Sequence, residues 1–285
     1  MWYLVCLSEY CHLSKAMAPD QQPIRQLHDR FFKAIFSAPA QAIGLIKGCL
    51  PKRLQQDLDW SSLMLDPNSY IDDRLKEYYS DLVFRCQFRG GEPVNVVFLL
   101  EHKSFVSTFP YLQLLRYMAS IWEQQRHHGA DKMVPVIPII LYHGKGTWDE
   151  SPFESYFALP PDQQVEEYLP AFTYLLVNLK TTQDQEIQER FEDLVVSRGL
   201  LLMKYIFSPE LIDHLEDVFE GLKNAVANQR DVEIVRIFIR YIYYFDNTKA
   251  KLVMQKVEEL LSDWPYMEGS IADMLIKQGK AEGKA

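Results

Sequence analysis

Two apolar runs, YYSDLVFRCQF from Tyr78 and VNVVFLLEHKS ending at Ser104, stand on either side of the break RGGEP. No other feature constrains the fold as tightly. Both runs are rich in β-branched and aromatic residues, and Gly90 and Gly91 supply the positive φ that a tight reversal needs, so the pair predicts an antiparallel hairpin. Into it are set Asp81 on the first run and Glu101 and Lys103 on the second. Glu101 and Lys103 are two apart and leave the same face of a strand. A carboxylate and an amine half-buried together are costly unless something compensates, and a divalent cation would do so.

The hairpin also carries a register argument, because directly opposed residues of an antiparallel pair share a face. A two-residue turn at Gly90 and Gly91 pairs residues whose numbers add to 181 and sends Asp81 to the wrong side. A three-residue loop from Gly90 to Glu92 gives 182 and sets Asp81 opposite Glu101. An odd-length loop or a β-bulge is therefore expected if these charges act together.

With 48% hydrophobic residues, the 285-residue chain can bury a sizeable core. No apolar run approaches the ~20 residues of a membrane helix. The opening MWYLVCL lacks a basic flank and is short for a signal core, which predicts a cytoplasmic protein away from membranes. Cys6, Cys11, Cys49 and Cys86 show no zinc spacing and are expected as free thiols. The net charge of −9 argues against binding nucleic acid through the overall field. Its distribution differs: residues 23 to 56 hold six bases against the single acid Asp29, whereas residues 160 to 285 hold 14 bases and 22 acids. A solvated helical surface would give the same local balance as a nucleic-acid edge.

Along the chain, residues 1–22 form a leader without clear periodicity. Pro23 opens a helix through IRQLHDRFFKAIF, and Pro39 and Pro51 bracket a second. Leu54 to Arg74 reads as an irregular or short helical connection. After the hairpin, Pro110 starts a helix that Gly129 ends, covered on more than one side. VPVIPIILYH suits a central strand with an irregular start at its prolines, and FTYLLVNL is a further strand. From Asp184 the pattern turns helical as a separate layer. VEIVRIFIRYIYYF alternates as a strand would, but its neighbours favour helix. The tail from 270 has Gly279 and Gly283 four apart, either a frayed end or a self-association segment.

An aspartate, a dozen or more residues and then Glu-x-Lys at the end of an apolar strand is similar to the signature of the PD-(D/E)xK nuclease superfamily. The phrases YYSDLVFR, VFLLEHKS, PYLQLLRYMASIWE and PVIPIILYHGKGTW, in that order, resemble the recombination-promoting nuclease family, whose members are also known as YhgA-like transposases. The resemblance covers about residues 25 to 180 and, more loosely, the rest. It implies an α/β fold: a restriction-endonuclease-like mixed sheet flanked by helices over 23–183, then a helical region over 184–269 and the Gly-spaced tail 270–285.

The resemblance also implies a chemistry. Mg²⁺ or Mn²⁺ would be held by Asp81, Glu101 and the backbone carbonyl of His102, whose side chain alternates to the opposite face. Lys103 would orient or help deprotonate the attacking water and contact the phosphate. Asp29 would sit at the margin of the site, or else form a surface ion pair with Lys33. Gln113 and Tyr117, one turn apart, would look toward the carboxylates or serve packing. His143 would be a second basic group or a packed loop histidine. Asn178 stands where the family often has an acid. DNA would meet a basic edge of Arg30, Lys33, Lys52 and Arg53. The expected activity is Mg²⁺-dependent DNA endonuclease with little sequence preference, since nothing resembles a base-reading motif. The alternative is a catalytically idle member acting as an oligomeric regulatory or DNA-binding module.

Overall fold

The computed structural model describes residues 22–66, 82–90, 95–158, 165–225, 232–245 and 250–262. The leader before residue 22, Asp81, the loop residues Gly91 and Glu92 and the Gly-spaced tail lie outside the described residues.

The two apolar runs form β2 (Leu82–Phe88) and β3 (Asn95–Lys103), paired antiparallel. Leu82 faces Leu100 and Gln87 faces Asn95, so the numbers of each pair add to 182, an even sum as the charges required. Gly90 takes a φ of 66°, the left-handed backbone expected where the chain begins to reverse. β1 (Leu58–Leu65) pairs with the outer side of β2, while β4 (Val136–Tyr142) and β5 (Leu175–Asn178) extend the sheet parallel to β3. The order β1-β2-β3-β4-β5 is thus half antiparallel and half parallel, with β3 at the change of direction. Pro135 precedes β4. Pro138 lies inside it opposite Leu99, before the stretch that begins at Ile139 and is paired on the β5 side as well.

β1 corrects the reading of Leu54 to Arg74 as an irregular or short helical connection. Its pairing slips between Asp59 and Met64. There the Asp59 carboxylate accepts from the backbone N–H of Ser61 at 3.1 Å and from its hydroxyl at 2.6 Å, and the Ser62 hydroxyl bonds the Asp59 carbonyl. Side chains that bond their own backbone are a turn signal. The signal is real, and it sits as an irregularity inside a strand.

Helices cover both faces. α1 (Gln22–Phe36), α2 (Pro39–Cys49) and the short α3 (Lys52–Gln56) precede the sheet. α4 (Pro110–His127) lies between β3 and β4, and Gly129, at φ 83°, follows its end. α4 packs Leu114, Tyr117, Met118 and Ile121 against Ile140 and Tyr142 on one face of the sheet. Ile139 and Leu141 point to the other face and join a core shared by α1, α2 and the helices that follow β5. These are α5 (Asp184–Arg190), α6 (Leu194–Tyr205), α7 (Leu211–Ala225), α8 (Val232–Phe245) and α9 (Ala250–Leu261). The alternating stretch in α8 is a helix, buried along Val235, Phe238, Ile239 and Ile242.

That core joins the helical layer from Asp184 to the sheet. It runs without a break from Phe84 and Phe98 in the sheet through Phe31, Phe32 and Phe36 of α1 to Leu200, Phe219, Phe238 and Val257. Phe31 stacks on Tyr241 of α8 with centroids 4.0 Å apart. The periodicity changes near residue 180, but the apolar stripes before and after the change face each other.

Candidate active site

Lys103 ends β3, where one neighbour is β2 and the other is β4. Only 3% of it is exposed. An ammonium so deeply placed needs hydrogen-bond acceptors, and its Nζ donates to Oε1 of Gln113 at 2.8 Å. Nζ also lies 5.5 Å from the centre of the Phe105 ring. Gln113 belongs to the first turn of α4, which Pro110 opens, so the helix start fixes the acceptor that holds the strand end. Tyr117, one turn further, is buried on the same helix. Of the residues expected at the site, the structure therefore brings Lys103 and Gln113 together. Glu101 is in β3, paired with Ile140. Its side chain and the whole of Asp81 lie outside the described residues.

His102 points to the opposite face, as alternation requires. Its ring stacks between Phe32 and His143, at 5.1 Å and 4.7 Å between centroids. Its Nδ1 lies 3.4 Å from the carboxylate of Asp29, which places Asp29 on the α1 side of the sheet and not beside Gln113. His143 is a packed residue: its Nδ1 donates to the carbonyl of Met203 at 3.1 Å. His28 completes a buried group of three imidazoles, 4.8 Å from His143, with Nδ1 2.6 Å from the hydroxyl of Tyr241. Burial, then the neighbouring His102, pulls the His28 pKa down to about 3 against the pull of Asp29. The same two causes hold His143 well below the ordinary histidine value. Sequence reasoning passed over His28, whose signal was its place on the apolar stripe of α1 with Phe31, Phe32 and Ile35.

Arg30 and Lys33 are exposed on α1, and Lys52 and Arg53 on α3. α1 packs across the sheet from α4, so its two bases stand on the other side of the sheet from Gln113. Asn178 ends β5 opposite Tyr142, and its side chain accepts from the backbone N–H of Lys180 at 3.2 Å. Cys49 and Cys86 are free and buried; burial pushes the Cys49 thiol up to about 12, which leaves it inert as a nucleophile. Among the described residues no three His, Cys, Asp or Glu side chains are arranged to hold a metal ion, and no helix is long and apolar enough to cross a membrane.

Comparison with known proteins supplies the family. The inactive recombination-promoting nuclease-like protein RpnE of Escherichia coli (strain K12) is 23% identical over 259 residues, 90% of this chain and 83% of that protein. The recombination-promoting nuclease RpnA of the same strain is 25% identical over 72% of this chain and 69% of its own length. The recombination-promoting nuclease RpnD of Escherichia coli O157:H7 is 25% identical over 74% of this chain and 80% of its own length. No solved structure matches. The family model described as "Putative transposase, YhgA-like" matches residues 26–233, from the first helix to the start of α8, and the chain belongs to that family.

Proposed function

We propose that the protein is a metal-dependent DNA endonuclease of the cytoplasm that hydrolyses phosphodiester bonds with little sequence preference. Family membership supports the reaction class, since relatives carry the name recombination-promoting nuclease. The observation that carries the reading to particular atoms is Lys103, buried at the end of β3 with its ammonium held by Gln113. A lysine in that position is difficult to explain as packing, because burial penalises its charge and an apolar side chain would fill the space at no such cost.

The residues fit a hard cation. Asp81 and Glu101 are carboxylates, the His102 carbonyl is a third oxygen, and Mg²⁺ or Mn²⁺ prefers such donors. The 182 register of β2 and β3 is compatible with this donor set, because an even sum keeps positions 81 and 101 on one face. A bound cation supplies charge relief at the phosphate and at the departing oxygen and makes a water more acidic. The chain's own contribution is positional. Lys103 presents a fixed positive charge to a phosphate oxygen and orients the water for attack, and Gln113 holds the ammonium at the strand end, so that little rearrangement is needed when DNA arrives. Lys52 and Arg53, exposed on α3, contribute salt-sensitive phosphate contacts, whereas Arg30 and Lys33 lie across the sheet from Lys103 and would reach DNA only beyond the site.

A second reading has its own support: RpnE, matched over 90% of the chain, is named inactive. On that reading the protein binds DNA or its own copies without cutting. Supercoiled plasmid incubated with Mg²⁺, with Mn²⁺ and with EDTA separates the two. The endonuclease converts plasmid to nicked and linear forms in the first two and leaves it intact in the third. Intact plasmid in all three, with a retained gel shift, would favour the inactive module.

A further inference from the structure

The three buried imidazoles are not used by the chemistry above. In each, Nδ1 reaches an anchor on a different element: Tyr241 of α8 for His28, Asp29 of α1 for His102, and the Met203 carbonyl of α6 for His143. Nε2 of all three is buried and has no hydrogen-bond partner among the described residues. Each ring is thus a flat plate with one directional tie. A phenylalanine would supply the plate without the tie, and an asparagine the tie without the plate.

The plates are stacked beneath one end of the sheet. His102 lies between Phe32 and His143, His143 stacks on Phe207 with planes 19° apart, and His28 packs against Phe207 and Phe245 at 5.0 and 5.5 Å. The backbone closes the same assembly: the N–H of His143 donates to the carbonyl of Lys103 at 3.0 Å. The end of β3 is therefore packed on its underside by His102, tied to α1, and by His143 and His28, whose ties come from the C-terminal helices α6 and α8, while Lys103 faces α4 on the other side.

We propose that His102 is a positioning residue for Lys103, with His143 and His28 as its supports, and that α6 and α8 thereby set the geometry of the nuclease face from across the sheet. The inference rests on the endonuclease reading for its catalytic consequence. Its structural content stands on the packing alone. Displacement of a reacting group by ~1 Å can cost ~10²-fold in rate, so loosening this stack should slow cleavage without weakening DNA binding.

The test uses the full chain with two conservative variants remote from the proposed chemistry. Tyr241→Phe removes the hydroxyl that ties His28. His143→Phe keeps the plate and removes the tie to Met203. For each, amide hydrogen exchange over residues 98–104 is measured by mass spectrometry, beside DNA affinity in EDTA and single-turnover cleavage at a temperature well below the unfolding midpoint. The expected result is faster exchange confined to the end of β3, with exchange in β2 and α4 unchanged, and cleavage ~10-fold or more slower at unaltered DNA affinity. His143→Asn, which restores a donor near Met203 without the plate, should recover part of the exchange protection lost in His143→Phe. Exchange that is unchanged over 98–104, or faster throughout the molecule, overturns the proposal. A parental protein that cuts no DNA overturns the endonuclease reading instead, and the exchange data still decide the anchor.

Discussion

Lys103 and the residues around it show how far single positions could be read before any fold was known. That Glu101 and Lys103 share a face, and that His102 does not, follows from alternation alone, and the structure keeps Lys103 and His102 on opposite sides. That Gln113 would meet Lys103 was half legible: the sequence offered a polar residue in the first turn of the next helix, but not its partner. His28 was not legible, because a lone histidine on an apolar stripe reads as packing until its neighbours in space are known. Two predictions belong here. Gln113→Leu removes one acceptor from a buried ammonium, and we expect a loss of about 1–3 kcal/mol in chemical denaturation; stability equal to the parent would mean that this contact is not formed. The second concerns acid. His28, with a pKa near 3, and His143, held well below the usual value, stay neutral when folded but take up protons near pH 6.5 when unfolded. The unfolded state then binds more protons, so stability is full above about pH 6.5 and is lost as pH falls below it, by on the order of 1 kcal/mol per pH unit for each group. Denaturation at pH 7.5, 6 and 5 checks this, and the His28→Phe, His143→Phe double variant should show a flatter profile.

At the scale of elements, β2, β3, α1, α2 and α4 announce themselves through prolines, glycines and periodicity, whereas α8 was legible only from its helical neighbours. An odd-length loop or a β-bulge was expected from chemistry, since an even pairing sum puts Asp81 and Glu101 on one face, and the observed sum of 182 meets that condition. β1 escaped because Asp59, Ser61 and Ser62 satisfy one another locally, and local bonding hides a strand whose partners lie far along the chain, as Leu58 and Phe88 do. The junction of α2 and α5 was equally silent. Gly48 of α2 lies against Phe191, where an added Cβ would run into the ring, and its carbonyl accepts from Nε of Arg190 at 2.6 Å. Alanine improves helix propensity by ~1 kcal/mol, but crowding against a fully buried ring costs about 1–3 kcal/mol. We therefore expect Gly48→Ala to lower the melting temperature; a rise would show that Phe191 moves aside freely.

For the whole molecule, the shift from strand-like to helical periodicity near residue 180 suggested a nuclease-like body followed by a separate helical layer, and one apolar core spans the change. Sequence periodicity reports which face of an element is apolar. It does not report what that face meets. Ending the chain at residue 182 would strip α6, α7, α8 and α9 from Phe31, Phe32 and Phe36, so we expect that fragment to be insoluble or to lack a cooperative unfolding transition, whereas a folded fragment with a sharp transition would restore the two-body picture. The charge asymmetry falls on the same division, with the acidic helices behind the sheet and the basic positions on α1 and α3 ahead of it in the chain. The central claim is that Lys103 performs chemistry and does not merely fill space, and single-turnover DNA cleavage by Lys103→Ala, beside a Mg²⁺ titration of the same protein, tests it most directly. Removal of a positive charge near the cation should leave metal affinity unchanged or slightly higher, while cleavage falls by ~10²- to 10⁴-fold, the usual consequence of losing a positioned acid or base. Cleavage at the parental rate would contradict the account.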